Sequence, residues 1–499
     1  MAASAPLPFH KPGPSRREIA LAAVIVVLVL AVVYLLVRFT GNSPVEYDNA
    51  EEHFKYGSTG GEILTGIPYG VWMALPGVFN LPGGDYQSFG FLYEKGKALP
   101  IGTSVRRYQG IDRVAFNCAI CHVGSLRETP TSAPTYVSGM PSNTVDLRAF
   151  YKFLFDAAKD ERFSAGLILS QMKAMNVKED FINRQLLRLY AVFVLQSALV
   201  SRNQRLQFIL AEPEFGPGRI DTFSPAKALL NFPPDKMPPS ERIGTADLPS
   251  IWYQGKREGM QLHWDGNNTS LQERDRSAAF GTGAYPTTLD RESMRRTEAY
   301  LLDAKPLAYP YPIDATRAAR GKQIYAQMCS YCHGADGQNF AAGQGALGKV
   351  TPIEKIGTDR RRLDSYTEEL ALSQNLIYAG TKDPNERFSH FRKTYGYANM
   401  PLDGVWLRAP YLHNGSVPTL HELLEPSVKR TPVFYRADDV IDKVQVGFES
   451  NVAERGGHKY FQYDTKLPGN GNMGHEGKEY GTELPAPDKD ALVEYLKTF

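Results

Sequence analysis

The sequence predicts a mainly α-helical chain in two halves, loop-rich between its helices and led by one membrane-length apolar helix. Three features carry that expectation: an uncharged apolar run near the N-terminus, amphipathic stretches at helical spacing, and two C-x-x-C-H units far apart in the chain. Alternating runs that would make convincing strands are few.

Taken in order, Ile19 to Val37 form nineteen apolar residues without a charge, enough to cross a bilayer as a helix. Lys11, Arg16 and Arg17 precede the run and only Arg38 follows closely. The positive-inside rule therefore leaves residues 1–18 as a cytoplasmic tail and 19–38 as a transmembrane anchor. No A-x-A-like site stands in VRFTGNSP, so a retained anchor is expected over a cleaved signal. The net charge of +2, from 56 basic and 54 acidic residues, sets up no field for nucleic acid.

Residues 41–115 are rich in Gly, Pro and aromatics and read as irregular packed loops with short helices. Helical patterns follow over 146–159, 179–206 and 290–302. In the second, acidic residues open and basic ones close the helix, matching its dipole. A Pro-rich stretch over 303–314 marks a boundary, giving an N-terminal half over 41–302 and a C-terminal half over 315–499. The C-terminal half opens on a helix leading into its C-x-x-C-H and closes on an amphipathic helix after Pro487-Asp488.

All four cysteines lie in the two units, Cys118-Cys121-His122 and Cys329-Cys332-His333. This spacing attaches haem: each cysteine adds to a vinyl group, and the adjacent histidine reaches the iron. Nearly one helical turn separates the cysteines, so both sulfurs face the porphyrin edge. Zinc, the rival for paired C-x-x-C, would gather four cysteines in one tetrahedral site. The expectation is two covalently bound haem c groups, and such haem is attached outside the cytoplasm. Gly321 and Tyr325 before the second unit, with Leu492, Tyr495 and Leu496 near the end, suit one helix crossing another closely. That crossing is similar to the one in cytochrome c domains.

Further along, WLRAPYLHNGSVPTLHELL (406–424) resembles the signature of the di-haem cytochrome c peroxidase superfamily. LPSIWYQGKREGMQLHWDGNNTSLQERDRSAAFGTG (248–283), HFKYGSTGGE and GNGNMGHE are similar to segments of its bacterial rubber oxygenase-like branch. The resemblance covers about residues 50–499 and implies two cytochrome c-like haem domains with loop-rich insertions. It implies His122 and His333 as proximal ligands. It implies His475 as the sixth ligand of the second haem, with Met400 as the contender, since thioether is what an electron-transfer cytochrome would offer. Around the first haem it brings forward His263 and Trp264, as distal-pocket residues or an electron route. Ala279, with Phe280 beside it, stands where rubber oxygenases carry a phenylalanine, a departure that weakens carry-over of rubber cleavage. Glu258 and Glu273 flank the region, where a peroxidase needs a distal carboxylate to move a proton.

The implied function is a haem-dependent oxidoreductase, peroxidase-like, in the periplasm and anchored in a bacterial inner membrane. The first haem would bind peroxide or dioxygen. The second would exchange electrons with a redox partner protein or quinone-linked donor. Two other classes remain open: a pure electron-transfer cytochrome and a haem dioxygenase of apolar alkenes. A calcium ion between the halves is known in the superfamily, without clustered oxygen ligands here to argue for it. His413 and His421, inside the signature, are expected to be structural, and Arg360-Arg361-Arg362 to be a solvated face.

Overall fold

The computed structural model describes residues 13–340, 345–377 and 386–499; of the expected cytoplasmic tail, residues 1–12 lie outside them. Helix α1 spans Arg16–Thr40 and starts in a capping box between Ser15 and Glu18. None of its side chains is buried, and it is long and apolar enough to cross a membrane. Its last turn is tied to the rest of the chain. Arg38 Nη2 donates to Asp180 Oδ2 at 2.8 Å and to Asn183 Oδ1 at 2.6 Å.

With 44% helix and 13% strand, the chain is only loosely mainly α. The largest departure from expectation lies in 41–115, where the loops contain an antiparallel sheet. Its strands are β1 (Asn42–Pro44), β2 (Ile67–Pro68), β3 (Thr103–Tyr108) and β4 (Ile111–Phe116), in the order β1-β3-β4-β2. Helices α2 (Ala50–Tyr56) and α3 (Tyr69–Val78) are folded between them. The β3–β4 hairpin closes on Gln109 and Gly110, both left-handed (φ 52° and 75°). Such a mirror-image turn matches strand twist, and β4 runs directly into the first C-x-x-C-H.

Helix α4 (Ala119–His122) carries that motif, followed by the hairpin of β5 (Val123–Leu126) and β6 (Thr135–Ser138). The expected helices appear as α5 (Leu147–Ala157) and, after an α6 (Ala165–Ala174) that the sequence did not single out, as α7 (Phe181–Leu186), a π turn (Leu187–Ala191) and α8 (Val192–Leu210). After α9 (Phe223–Leu229) and α10 (Leu271–Gly281) comes α11 (Arg291–Asp303), close to the expected 290–302. Helix α12 (Ala315–Met328) leads into α13 (Ser330–His333), which carries the second motif.

The closing helix, Ala486–Leu496, crosses α12 where the sequence puts the small residue. A Cβ on Gly321 would collide with the Ala491 carbonyl oxygen, and the Tyr325 and Tyr495 rings meet edge-on at 5.5 Å. The largest apolar cluster joins Phe54, Met140 and Trp252 with Tyr325, Trp406 and Leu492, so the two halves share a core. A buried ion pair, Arg257 to Asp403 at 2.8 Å, bridges them as well. A second cluster, around Trp72, Tyr86, Phe116 and Phe150, backs the first motif.

Candidate haem centres

At the first centre, β4 delivers Asn117, whose Oδ1 accepts from Ala119 N and starts the one-turn helix α4. The Asn117 amide also donates to the Gly57 carbonyl at 2.9 Å, fixing the turn against α2. Cys118 and Cys121 are half-buried and not joined in a disulfide. His122 Nδ1 lies 2.9 Å from the Pro249 carbonyl. A carbonyl only accepts, so the proton sits on Nδ1 and Nε2 keeps a lone pair for a metal. Burial pulls the ring down to about 4, which holds it neutral.

Beside Cys118 and His122 opens a cavity of about 820 Å³, counting the part continuous with solvent. Its walls come from several segments, among them Ile251, Met260, Arg274, Met294 and Leu301. Free paired thiols, a neutral histidine with an available Nε2 and an apolar-walled space beside them fit a covalently attached haem.

His263 lines this cavity in a left-handed backbone conformation (φ 64°). Its Nδ1 is 2.6 Å from Asn267 Oδ1, and burial lowers it to about 4. Trp264, one residue on, is directed elsewhere. Its indole Nε1 donates to the Asp247 carbonyl at 2.8 Å, and the ring packs against Ile353, Leu363 and Tyr397. The cavity wall therefore receives one of the two distal candidates.

The carboxylates divide differently from expectation. Glu258 is exposed. Glu273 is buried and consumed in holding a loop, accepting from Ser389 N, His390 N and Asn268 Nδ2. Asp275, which sequence reasoning did not single out, lines the cavity. Arg274 Nε and Nη2 both donate to its Oδ1, at 3.1 and 3.0 Å, while burial raises its carboxyl from the usual value against the pull of Arg274. One turn of α11 past the cavity residue Met294, Glu298 is pushed up to about 7 by burial and by Asp275. Two such carboxyls are legible only once α10 and α11 are folded beside the motif. Ala279 and Phe280 pack in their own small cluster with Ala284, Leu289 and Met294, and Ala278 is the neighbour that reaches the cavity.

At the second centre His333 Nδ1 is 2.7 Å from the Met400 carbonyl, so it too presents Nε2. The His475 ring faces it, with centroids 6.3 Å apart and planes inclined by 50°. The two rings stand far enough apart that a haem iron could be held between them. His475 is buried, is left-handed (φ 49°) and has no hydrogen-bond partner at Nδ1. Burial lowers it to about 3. Its loop is held by Arg430, which donates to the carbonyls of Asn472, Gly474 and His475. Met400 takes a different position. Its carbonyl stands behind His333, and Asn399, Met400 and Pro401 line the first cavity. On the far face of the second site His475 is therefore placed where Met400 is not.

His413 is buried with its ring stacked on Tyr397 at 4.1 Å and its Nε2 on that hydroxyl at 3.0 Å. His421 lies 3.7 Å from Asp490. The arginine run is not a uniform solvated face. Arg360 pairs with Asp364 at the surface, whereas Arg362 is buried on Asp265 at 3.1 Å. Among the described residues no three His, Cys, Asp or Glu side chains converge on a metal site, so no calcium site is described.

Comparison with known proteins places cytochrome c domains on this chain. Residues 396–435 match the family described as RoxA-like, cytochrome c-like. Residues 316–401 match that of cytochrome c oxidase, cbb3-type, subunit III. The uncharacterised protein y4iM of Sinorhizobium fredii is 29% identical over 310 residues, 55% of this chain and 68% of that one. A second uncharacterised protein of the same organism, y4iJ, is 28% identical over 37% of this chain and 39% of its own. Thiosulfate dehydrogenase of Stutzerimonas stutzeri is 28% identical over 138 residues, 27% of this chain and 38% of that enzyme. The chain thus spans well under half of the last two relatives. Together with the attachment motifs, these matches make it a c-type cytochrome, a redox protein with covalently bound haem c and its iron.

Proposed function

We propose that the chain is a membrane-anchored di-haem oxidoreductase with unlike haems. The first would bind peroxide or dioxygen; the second, held between His333 and His475, would pass electrons. The observation that carries this reading is the asymmetry of the two sites. The ring of His475 faces that of His333, whereas among the described residues no second histidine ring is paired with His122 in this way.

Haem iron would supply the redox change and the binding of the small oxidant. The chain does the rest. The Pro249 carbonyl fixes the His122 ring and raises the basicity of its Nε2. Asp275 stands on the cavity wall, held by Arg274, where its carboxyl could exchange a proton with a small oxidant. Neutral His263 offers a further hydrogen-bonding edge. Residues 399–401 line the cavity and end on the hydrogen bond to His333, giving a short through-bond path between centres. The thiosulfate dehydrogenase match does not extend to its substrate: both cavity arginines, Arg257 and Arg274, are already paired with Asp403 and Asp275.

The test is carbon monoxide titration of the reduced protein with both haems quantified. One carbon monoxide per two haems supports the reading. No binding makes the chain a pure electron-transfer cytochrome.

A further inference from the structure

One helical face outside the haem centres is apolar, exposed and adjacent to the end of α1. Phe181, Leu189, Tyr190 and Phe193 are 68%, 76%, 63% and 69% exposed. They lie along α7, the π turn and α8, a run of about 18 Å at 1.5 Å per residue. The π turn takes up an extra residue, which brings Phe181 round to the side of Leu189 and Phe193. Four large apolar side chains standing together in water are costly for a soluble surface. Around them Lys173, Lys178, Arg184 and Arg188 are exposed, and none makes an ion pair among the described residues. Apolar side chains bordered by cations and a tyrosine are the composition of a helix lying in a membrane interface.

The position of this face relative to α1 identifies what covers it. Arg38, in the last turn of α1, bonds Asp180 and Asn183 at the start of α7. The same Arg38 lies against Gly110 at the tip of the β3–β4 hairpin. Tyr190 in turn is close enough to Arg113, on that hairpin, for their charges to interact. The end of the membrane-length helix and the apolar face thus share one corner of the protein.

We propose that this face is a second membrane contact, in which Phe181, Leu189, Tyr190 and Phe193 enter the interfacial layer of the bilayer that α1 crosses. The tilt of the haem domain is then fixed, because α1 and α7–α8 together define a plane. The bordering cations favour anionic headgroups. The inference rests on α1 being retained, and not on the redox reading.

The experiment is hydroxyl-radical footprinting of the full haem-loaded chain in nanodiscs of phosphatidylethanolamine and phosphatidylglycerol. Tyr190 is compared with Tyr395, which is equally open at 64% and lies in the other half. The expected result is oxidation of Tyr190 several-fold slower than Tyr395, lost in a Leu189→Glu, Phe193→Glu double variant whose haem spectrum is unchanged. Equal rates in the unaltered protein overturn the proposal, since no partner protein is present to cover the patch. Protection that survives the double substitution overturns it too, as does a chain that elutes free of the discs.

Discussion

The two candidate haem centres share one local plan and diverge on the far side of it. In each, a one-turn helix carries two cysteines and a histidine whose Nδ1 is fixed by a backbone carbonyl, Pro249 for one and Met400 for the other. Across from His333 the chain brings back a left-handed loop with His475 at its tip. Across from His122 it builds a cavity edged by Arg274 and Asp275. The motif therefore fixes attachment and the near ligand. Segments more than a hundred residues away supply what stands across from it.

The largest effect expected from breaking this contrast is His475→Ala. It should remove the low-spin signal of the second haem altogether and make both centres bind cyanide, read by titration of the ferric protein. Asp275→Asn should next lower peroxide turnover with a reduced donor by about 10²–10⁴-fold, the range for loss of a positioned proton donor. Spectra and carbon monoxide stoichiometry should not move, which separates a proton role from a structural one. Gly321→Ala should act on stability alone, forcing α12 off the closing helix at a cost of about 1–3 kcal/mol, read as a fall in Tm. Met400→Leu should do least. Its backbone carbonyl stays on His333, so the low-spin spectrum should persist unchanged, whereas a sulfur ligand would be lost.

Much of this plan was legible in the sequence because it is local. The C-x-x-C-H units, the apolar run of α1 and the small-residue crossing of α12 with the closing helix all depend on neighbours a turn or two away. The β3–β4 hairpin escaped notice because its turn is Gln109-Gly110; glutamine is not a residue that announces a left-handed position. Asp275 and Glu298 escaped for another reason. Nothing in the spacing of α10 and α11 says which of their many charged residues the fold buries, and burial is what makes these two carboxyls distinctive. Trp264 and His263 show the limit most simply. They are adjacent in sequence, and a left-handed turn at His263 sends their side chains to different places. Met400 and His475 pose the same difficulty, because the side of a haem on which a residue stands is a tertiary fact.

Unlike haems on one chain are the central claim, and electron paramagnetic resonance of the ferric protein tests it most directly. One high-spin and one low-spin signal in equal amounts is the result expected from a cavity at His122 and an imidazole at His333. Two low-spin signals of equal weight would contradict it.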